Sequence, residues 1–310
     1  MNAVLWTTPL MLLAIGLVFA VMLTAAYRRL RVDEDPQVVA VRDALPGANC
    51  GGCGYPGCPQ FAEAVVAGKA RPSECVAANE AVVKAVAAIL GIEATAAVPR
   101  RAVIHCAARE GERRRRGVYR GVSTCTEMQV VAGLQGCTYG CLGRGDCARV
   151  CPFEAILVRD GLPVVDLRAC TGCGQCVDAC PRGIITIEEL IDDPLVVIAC
   201  SSPDSGKQVR ENCDVGCIGC GICAKLDPAT FEVVGNLCKV KYATESYGKS
   251  QSHEAAVEKC PTSCLLWIGT RIGDPHELID RKRREKEARA AAARAEKRPP
   301  APAGAAGTAG

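Results

Sequence analysis

Apolar and polar positions divide the chain into one long apolar run, several short alternating stretches and a charged tail. Residues 5–27 carry no charge and are apolar almost throughout. About 20 such residues span a bilayer as a helix, so this run predicts a membrane helix. Trp6 and Tyr27 stand where interfacial aromatics belong. Arg28, Arg29 and Arg31 follow at once. The positive-inside rule places that end, and everything after it, in the cytoplasm. A cleaved signal peptide would want a charged start, and residues 1–9 hold no Lys or Arg.

Beyond a short polar segment at 32–37, residues 76–90 are rich in Ala and Val, lack Gly and Pro, and read as a helix ended by Gly91. A linker is expected over 94–98. Residues 102–106 (AVIHC) are echoed by 196–200 (VVIAC). Each is a short β-branched run ending on a cysteine. Each precedes a polar, Arg-containing loop and a second cysteine, Cys125 or Cys213. Two hairpins are expected, one around Asp160-Gly161 and one around Gly235-Asn236, because turn residues there separate strand formers. Residues 280–297 read as a solvated helix with i,i+4 pairs, and residues 299–310 as low-complexity and disordered.

Composition changes this picture. The 310 residues include 22 Cys, but only 2 Trp, 6 Tyr and 4 Phe. A domain per roughly 150 residues would give two domains; so few aromatics point instead to small modules held by something other than apolar packing. A net charge of +3 gives no global case for nucleic-acid binding. A reducing cytoplasm favours metal over disulfides for the cysteines. No Rossmann or Walker motif, paired carboxylates or catalytic triad stands out, so the chain reads as a conductor without a bond-making site. The basic run 113–116 is either a dock for an acidic protein or a solvated loop.

The cysteine spacings are the strongest signal. Cys170, Cys173, Cys176 and Cys180 form C-x2-C-x2-C-x3-C-P. One tight loop of that kind wraps three corners of a cubane, and the fourth cysteine serves the other cluster of a two-cluster ferredoxin. Its partner is Cys137, Cys141, Cys147 and Cys151, with longer first spacings. The crossover rule pairs Cys137, Cys141 and Cys147 with Cys180, and Cys170, Cys173 and Cys176 with Cys151. Cys50, Cys53, Cys58 and Cys75 form a separate glycine-rich unit for which zinc competes on spacing alone. Cys217, Cys220 and Cys223 repeat the ferredoxin spacing, but Asp227 stands where the crossover cysteine belongs and residues 242–259 hold no cysteine. This block therefore reads as a ferredoxin that has lost one cluster and keeps the other through Cys260. Tyr242, Tyr247 and residues 254–259 are the expected fillers of the vacated half. Cys106, Cys125, Cys200 and Cys213 are expected to converge on a fifth cluster if the echoed runs pair as neighbouring strands; free buried thiols are the alternative. Cys238, on a strand at the place Pro163 holds in the central block, is expected not to be a ligand; Cys264 is left over.

Residues 45–58 (LPGANCGGCGYPGC), behind one N-terminal membrane helix, resemble the B subunit of the Rnf electron-transport complex, and the ferredoxin blocks resemble that family's longer form. The resemblance covers about residues 1–270. It implies a [4Fe-4S] cluster on the Cys50 unit, soluble ferredoxin as donor, other Rnf-type subunits and membrane lipid as partners, and electrons moving toward NAD with ion translocation. A related complex that keeps a redox-sensing transcription regulator reduced is the alternative. The expected fold is α+β: an anchor over 1–31, a four-cysteine domain over 32–93, a two-cluster ferredoxin-like domain over 137–187, flanking strands within 94–136 and 188–213, a degenerate single-cluster domain over 214–272, and a charged helix with tail over 273–310.

Overall fold

A helix that is apolar on every side has no single face to bury, and α1 (Asn2–Leu30) behaves accordingly. Its stretch Leu10–Leu30 has a mean hydropathy of 2.4 and none of it is buried against the rest of the chain. It is long and apolar enough to cross a membrane. Arg28 and Arg29 stand in its last turn. The computed structural model describes residues 2–30, 34–94, 98–131, 133–189, 194–242, 252–270, 277, 280–285 and 287–289. Arg31, Tyr247 and the tail over 299–310 lie outside the described residues.

Three helices make the first module. α2 (Pro36–Ala44) starts where the Asp35 carboxylate accepts the Gln37 N–H and Pro36 takes the first position. α3 (Cys58–Val66) follows the glycine-rich loop. α4 (Glu80–Leu90) is the helix expected from 76, opening later because Asn79 caps it through the Val82 N–H. Gly91 ends it with φ 68. Val41, Phe61, Val65 and Val86 form the core between the three.

The remaining elements repeat one plan. In the central module it runs through β1 (Arg100–Ile104), α5 (Cys125–Val130), α6 (Asp146–Arg149), β2 (Ile156–Arg159), β3 (Leu162–Val165), α7 (Gln175–Asp178) and β4 (Ile185–Glu189). In the C-terminal module it runs through β5 (Leu195–Ile198), α8 (Gly206–Asn212), α9 (Ile222–Leu226), β6 (Phe231–Val234), β7 (Leu237–Val240), α10 (Ser252–Lys259) and β8 (Leu265–Ile268). Outer strands pair antiparallel, β1 with β4 and β5 with β8. Inner strands form the two expected hairpins, β2–β3 and β6–β7. Asp160 (φ 48) and Gly161 (φ 69) both take left-handed conformations at the first turn, the twist a two-residue hairpin favours. Val158 faces Pro163 and Val233 faces Cys238, so Cys238 does hold the register position of Pro163.

The echoed runs are thus the first strands of two modules, and they do not pair with each other. β1 and β5 belong to different sheets. What brings their cysteines together is the chain just beyond each strand. The Ala107 N–H donates to the Ala199 carbonyl at 3.0 Å. The Ser201 hydroxyl donates to the His105 carbonyl at 2.9 Å. Val103, Ala107, Leu195, Val197, Val215 and Leu266 make one core across this seam.

Two surface expectations change. The basic run is a strap. Arg113 is buried and donates to the carbonyls of Arg109, Cys141 and Gly161. Arg114 pairs with Asp214 at 2.9 Å, Arg115 with Glu110 at 2.5 Å, and the Arg116 N–H donates to the Leu134 carbonyl. Residues 280–285 are helical but not merely solvated. Arg109 clamps Asp280 through two bonds of 2.9 and 3.0 Å, and Arg283 pairs with Glu112.

Candidate functional site

All 22 cysteines are free thiols. Twenty of them gather in five sets, each built by a loop and a segment distant from it in sequence. Cys50, Cys53, Cys58 and Cys75 line one cavity in the first module. Asn49 shapes the loop by accepting the Cys58 N–H at 2.8 Å. Burial pushes the Cys75 thiol up, while the amides of Ala77 and Ala78 donate to its sulfur.

Cys170, Cys173 and Cys176 meet Cys151 in the central module, as the crossover pairing expects. Burial pushes Cys176 up to about 12, reinforced by Cys170, Cys173 and Cys147, and Cys173 has Cys151 and Cys170 as neighbours. The Ala102 N–H points at the Cys170 sulfur and the Ala155 N–H at the Cys151 sulfur, each at 3.4 Å.

The other two central sets differ from the spacing rule by one exchange. Cys141, Cys147 and Cys180 share their cavity with Cys125, not Cys137. Cys137 instead joins Cys106, Cys200 and Cys213 around a second cavity at the seam between the modules. Asp146 is the physical reason for the first half of the exchange. Its carboxylate accepts the N–H of Cys125 at 2.8 Å, and the N–H and hydroxyl of Thr126 at 3.1 and 3.0 Å. This ties the start of α5 to the start of α6, where Cys147 sits. Burial raises the Asp146 carboxyl, but these donors and Arg149 hold it below its ordinary value. Burial pushes Cys147 up to about 11, with Cys125 and Cys180 adding to it.

Cys217, Cys220, Cys223 and Cys260 line a cavity in the C-terminal module together with the two remaining cysteines. The Cys238 sulfur lies 3.4 Å from that of Cys223, and the Cys264 sulfur 3.6 Å from that of Cys260. Hydrogen bonding to Cys264 brings Cys217 down to about 6 and Cys260 down to about 5. Cys238 does the same to Cys223, and both extra thiols are pushed up in return.

The vacated half of this module is closed by a polar pair that cysteine spacing does not announce. Asp227 and His253 are both buried, with Oδ2 and Nε2 3.0 Å apart. The Thr230 hydroxyl meets the same Nε2 at 2.7 Å, and Phe231 and Trp267 contact the imidazole edge-on. Ala256 and Val257 of α10 complete the packing, as expected for 254–259. Tyr242 packs instead against the seam core.

The five sets stand in a row. Gln175 donates to the Cys50 carbonyl at 2.8 Å, and Cys50 is a neighbour of Cys173. Cys147 is a neighbour of Cys176. The Cys141 N–H points at the Cys106 sulfur at 3.5 Å. The Cys217 N–H donates to the Cys200 sulfur. Among the described residues, no three His, Cys, Asp or Glu side chains converge closely enough for a single metal ion. Four thiols spread around one cavity, with amides aimed at the sulfurs, fit a cubane better than a tetrahedral zinc, which draws its ligands onto one atom.

Sequence comparison agrees with this donor chemistry. An Fe-S cluster family matches residues 45–77, the 4Fe-4S binding domain matches 163–186, and the 4Fe-4S single cluster domain of ferredoxin I matches 213–267. The chain is 41% identical over 268 residues to the B subunit of the Na+-translocating ferredoxin:NAD+ oxidoreductase complex of Acetobacterium woodii, covering 86% of this chain and 78% of that protein. It is 38% identical over 231 residues to the B subunit of the ion-translocating oxidoreductase complex of Methanosarcina acetivorans, covering 74% and 87%. It is 37% identical over 272 residues to the B subunit of the proton-translocating ferredoxin:NAD+ oxidoreductase complex of Clostridium ljungdahlii, covering 86% and 94%.

Proposed function

The chain belongs to the B-subunit family of ion-translocating oxidoreductase complexes, and we propose that it carries electrons, one at a time, from reduced ferredoxin to the other subunits on the way to NAD. The ferredoxin and NAD come from the names of its relatives. A bound [4Fe-4S] cluster supplies a one-electron couple with no bond made or broken in a substrate. Cys50, Cys53, Cys58 and Cys75 hold one such group. Cys151, Cys170, Cys173 and Cys176 hold a second, Cys125, Cys141, Cys147 and Cys180 a third, and Cys217, Cys220, Cys223 and Cys260 a fourth. Backbone amides aimed at the sulfurs favour the more negative, reduced state, and burial keeps water away from them. Among the ligands, Cys220 alone is exposed, which makes the C-terminal module one natural point of exchange with a soluble donor. α1 anchors the carrier in the membrane, with Arg28 and Arg29 on the cytoplasmic side.

The row of adjacent thiol sets carries this reading. Anaerobically purified chain titrated with reduced ferredoxin should lose its brown visible absorption, as it does with dithionite. Bleaching by dithionite but not by ferredoxin would leave the clusters and overturn the donor.

A further inference from the structure

One set of thiols lies largely outside the matched families. Cys106, Cys137 and Cys200 fall in none of the ranges 45–77, 163–186 and 213–267, and Cys213 is the first residue of the last. We propose that Cys106, Cys137, Cys200 and Cys213 hold a [4Fe-4S] cluster of their own at the seam between the central and C-terminal modules.

Four separate segments deliver the four thiols: the turn after β1, the loop between α5 and α6, the turn after β5, and the end of α8. They line one cavity. Each sulfur meets backbone N–H groups. Cys141 serves Cys106; Tyr139 and Gly140 serve Cys137. Ser202 and Cys217 serve Cys200; Val215 and Gly216 serve Cys213. Amides directed at every sulfur of a set are the ordinary surroundings of cluster thiolates. Packing alone gives no reason to aim so many donors at four apolar thiols.

The charges agree. Four thiolates around a cluster leave an anion that wants a counter-charge. Arg182 supplies one. It is half-buried, its Nε has no hydrogen-bond partner among the described residues, and the sulfurs of Cys137, Cys141 and Cys180 lie near it. Its guanidinium therefore lies between this set and the Cys147 set.

Position gives the site its purpose, and this point rests on the electron-carrier reading. The Cys106 set touches Cys141 on one side and Cys217 on the other. Without a redox group there, the row is interrupted at the seam.

Iron and sulfide counts on the anaerobically purified full chain test the site directly. The wild type should carry about 20 irons, and about 16 would overturn the proposal. Pairwise serine variants test the membership. Cys106→Ser with Cys137→Ser should lose about four irons, no more than either change alone, whereas Cys106→Ser with Cys125→Ser should lose about eight. Equal losses from the second pair and its single variants would restore the grouping read from the spacing and overturn this one. Should a variant fail to fold, the wild-type count still decides. The iron count is also independent of reduction by ferredoxin, so failure of the carrier reading leaves this result standing.

Discussion

At the scale of single residues, Cys238 and Cys264, the two cysteines outside the proposed ligand sets, touch the proposed ligands Cys223 and Cys260. With Cys223 and Cys260 ionised, Cys238 and Cys264 are left as S–H donors at 3.4 and 3.6 Å. Such bonds favour the reduced, more negative cluster. Cys238→Ala and Cys264→Ala should leave the iron content unchanged and lower the midpoint potential of the Cys217 set. A tenfold fall in the reduced-to-oxidised ratio corresponds to about 59 mV for a one-electron couple. An EPR-monitored redox titration reads this; loss of four irons would show that either cysteine is a ligand. Asp146 carries a second prediction. Its carboxyl is held below the ordinary value of 3.8. A depressed carboxyl stabilises fully above its unfolded pKa, and that contribution is lost as pH falls through the folded value. Asp146→Asn should therefore loosen α5 at neutral pH and cost the Cys147 set its iron. The wild type should lose the same tie only in acid below the ordinary carboxylate range.

At the scale of elements, two contacts decide what the modules can do. Gly52 is where the first loop meets the central module. A Cβ there would lie 2.6 Å from Val76, 2.8 Å from the Cys173 Cα and 2.9 Å from the Cys173 carbonyl oxygen. Gly52→Ala must push the loops apart. Stopped-flow reduction should show slower transfer between the Cys50 and Cys170 sets with the iron count preserved; an unchanged rate would remove this contact from the path. The second contact is the Asp227–His253 pair that packs α9 against α10. Removing one partner of a buried hydrogen-bonded pair leaves the other unsatisfied, at a cost of about 1–3 kcal/mol, whereas replacing both by apolar groups can be nearly neutral. Asp227→Ala should thus destabilise the module in denaturant melts, and Asp227→Leu with His253→Leu should recover most of the loss. Neither should remove a cluster if, as proposed, the ligands of this module are Cys217, Cys220, Cys223 and Cys260, and a loss of about four irons would show otherwise.

At the scale of the whole molecule, one apolar helix precedes a set of small modules joined end to end. Arg28 and Arg29 at its last turn set the expected sidedness. A reporter fused after residue 310 should report the cytoplasm, and periplasmic phosphatase activity there would overturn both the orientation and the case for reduced thiols. The central and C-terminal modules share the seam core of Val103, Leu195 and Val215, and the Cys106 set bridges the same seam. Apolar packing and thiol placement therefore support each other at one interface.

Local chemistry left its marks in the linear chain. The anchor, both hairpins, the α4 stop at Gly91 and the tight ferredoxin loop at Cys170 each depend on residues a few positions apart. So does the absence of ligands in the second half of the Cys217 block, which only requires noticing which cysteines are missing. α2 and α3 escaped because their signals are caps and prolines, Asp35-Pro36 and Gly57-Cys58-Pro59, with no long apolar period. The partition of the cysteines between the Cys147 and Cys106 sets was decided by tertiary structure alone. Cys125 and Cys137 both precede the same ferredoxin loop, and spacing counts residues without knowing where they go. Asp146 binds the start of α5, and the pairing of Ala107 with Ala199 carries Cys106 and Cys200 to the seam where Cys137 lies. Those are contacts between segments 21 and 92 residues apart, Asp146 from Cys125 and Ala199 from Ala107. At such separations only the folded chain, closing its loops against an entropic cost repaid by burial and hydrogen bonding, selects which thiols meet.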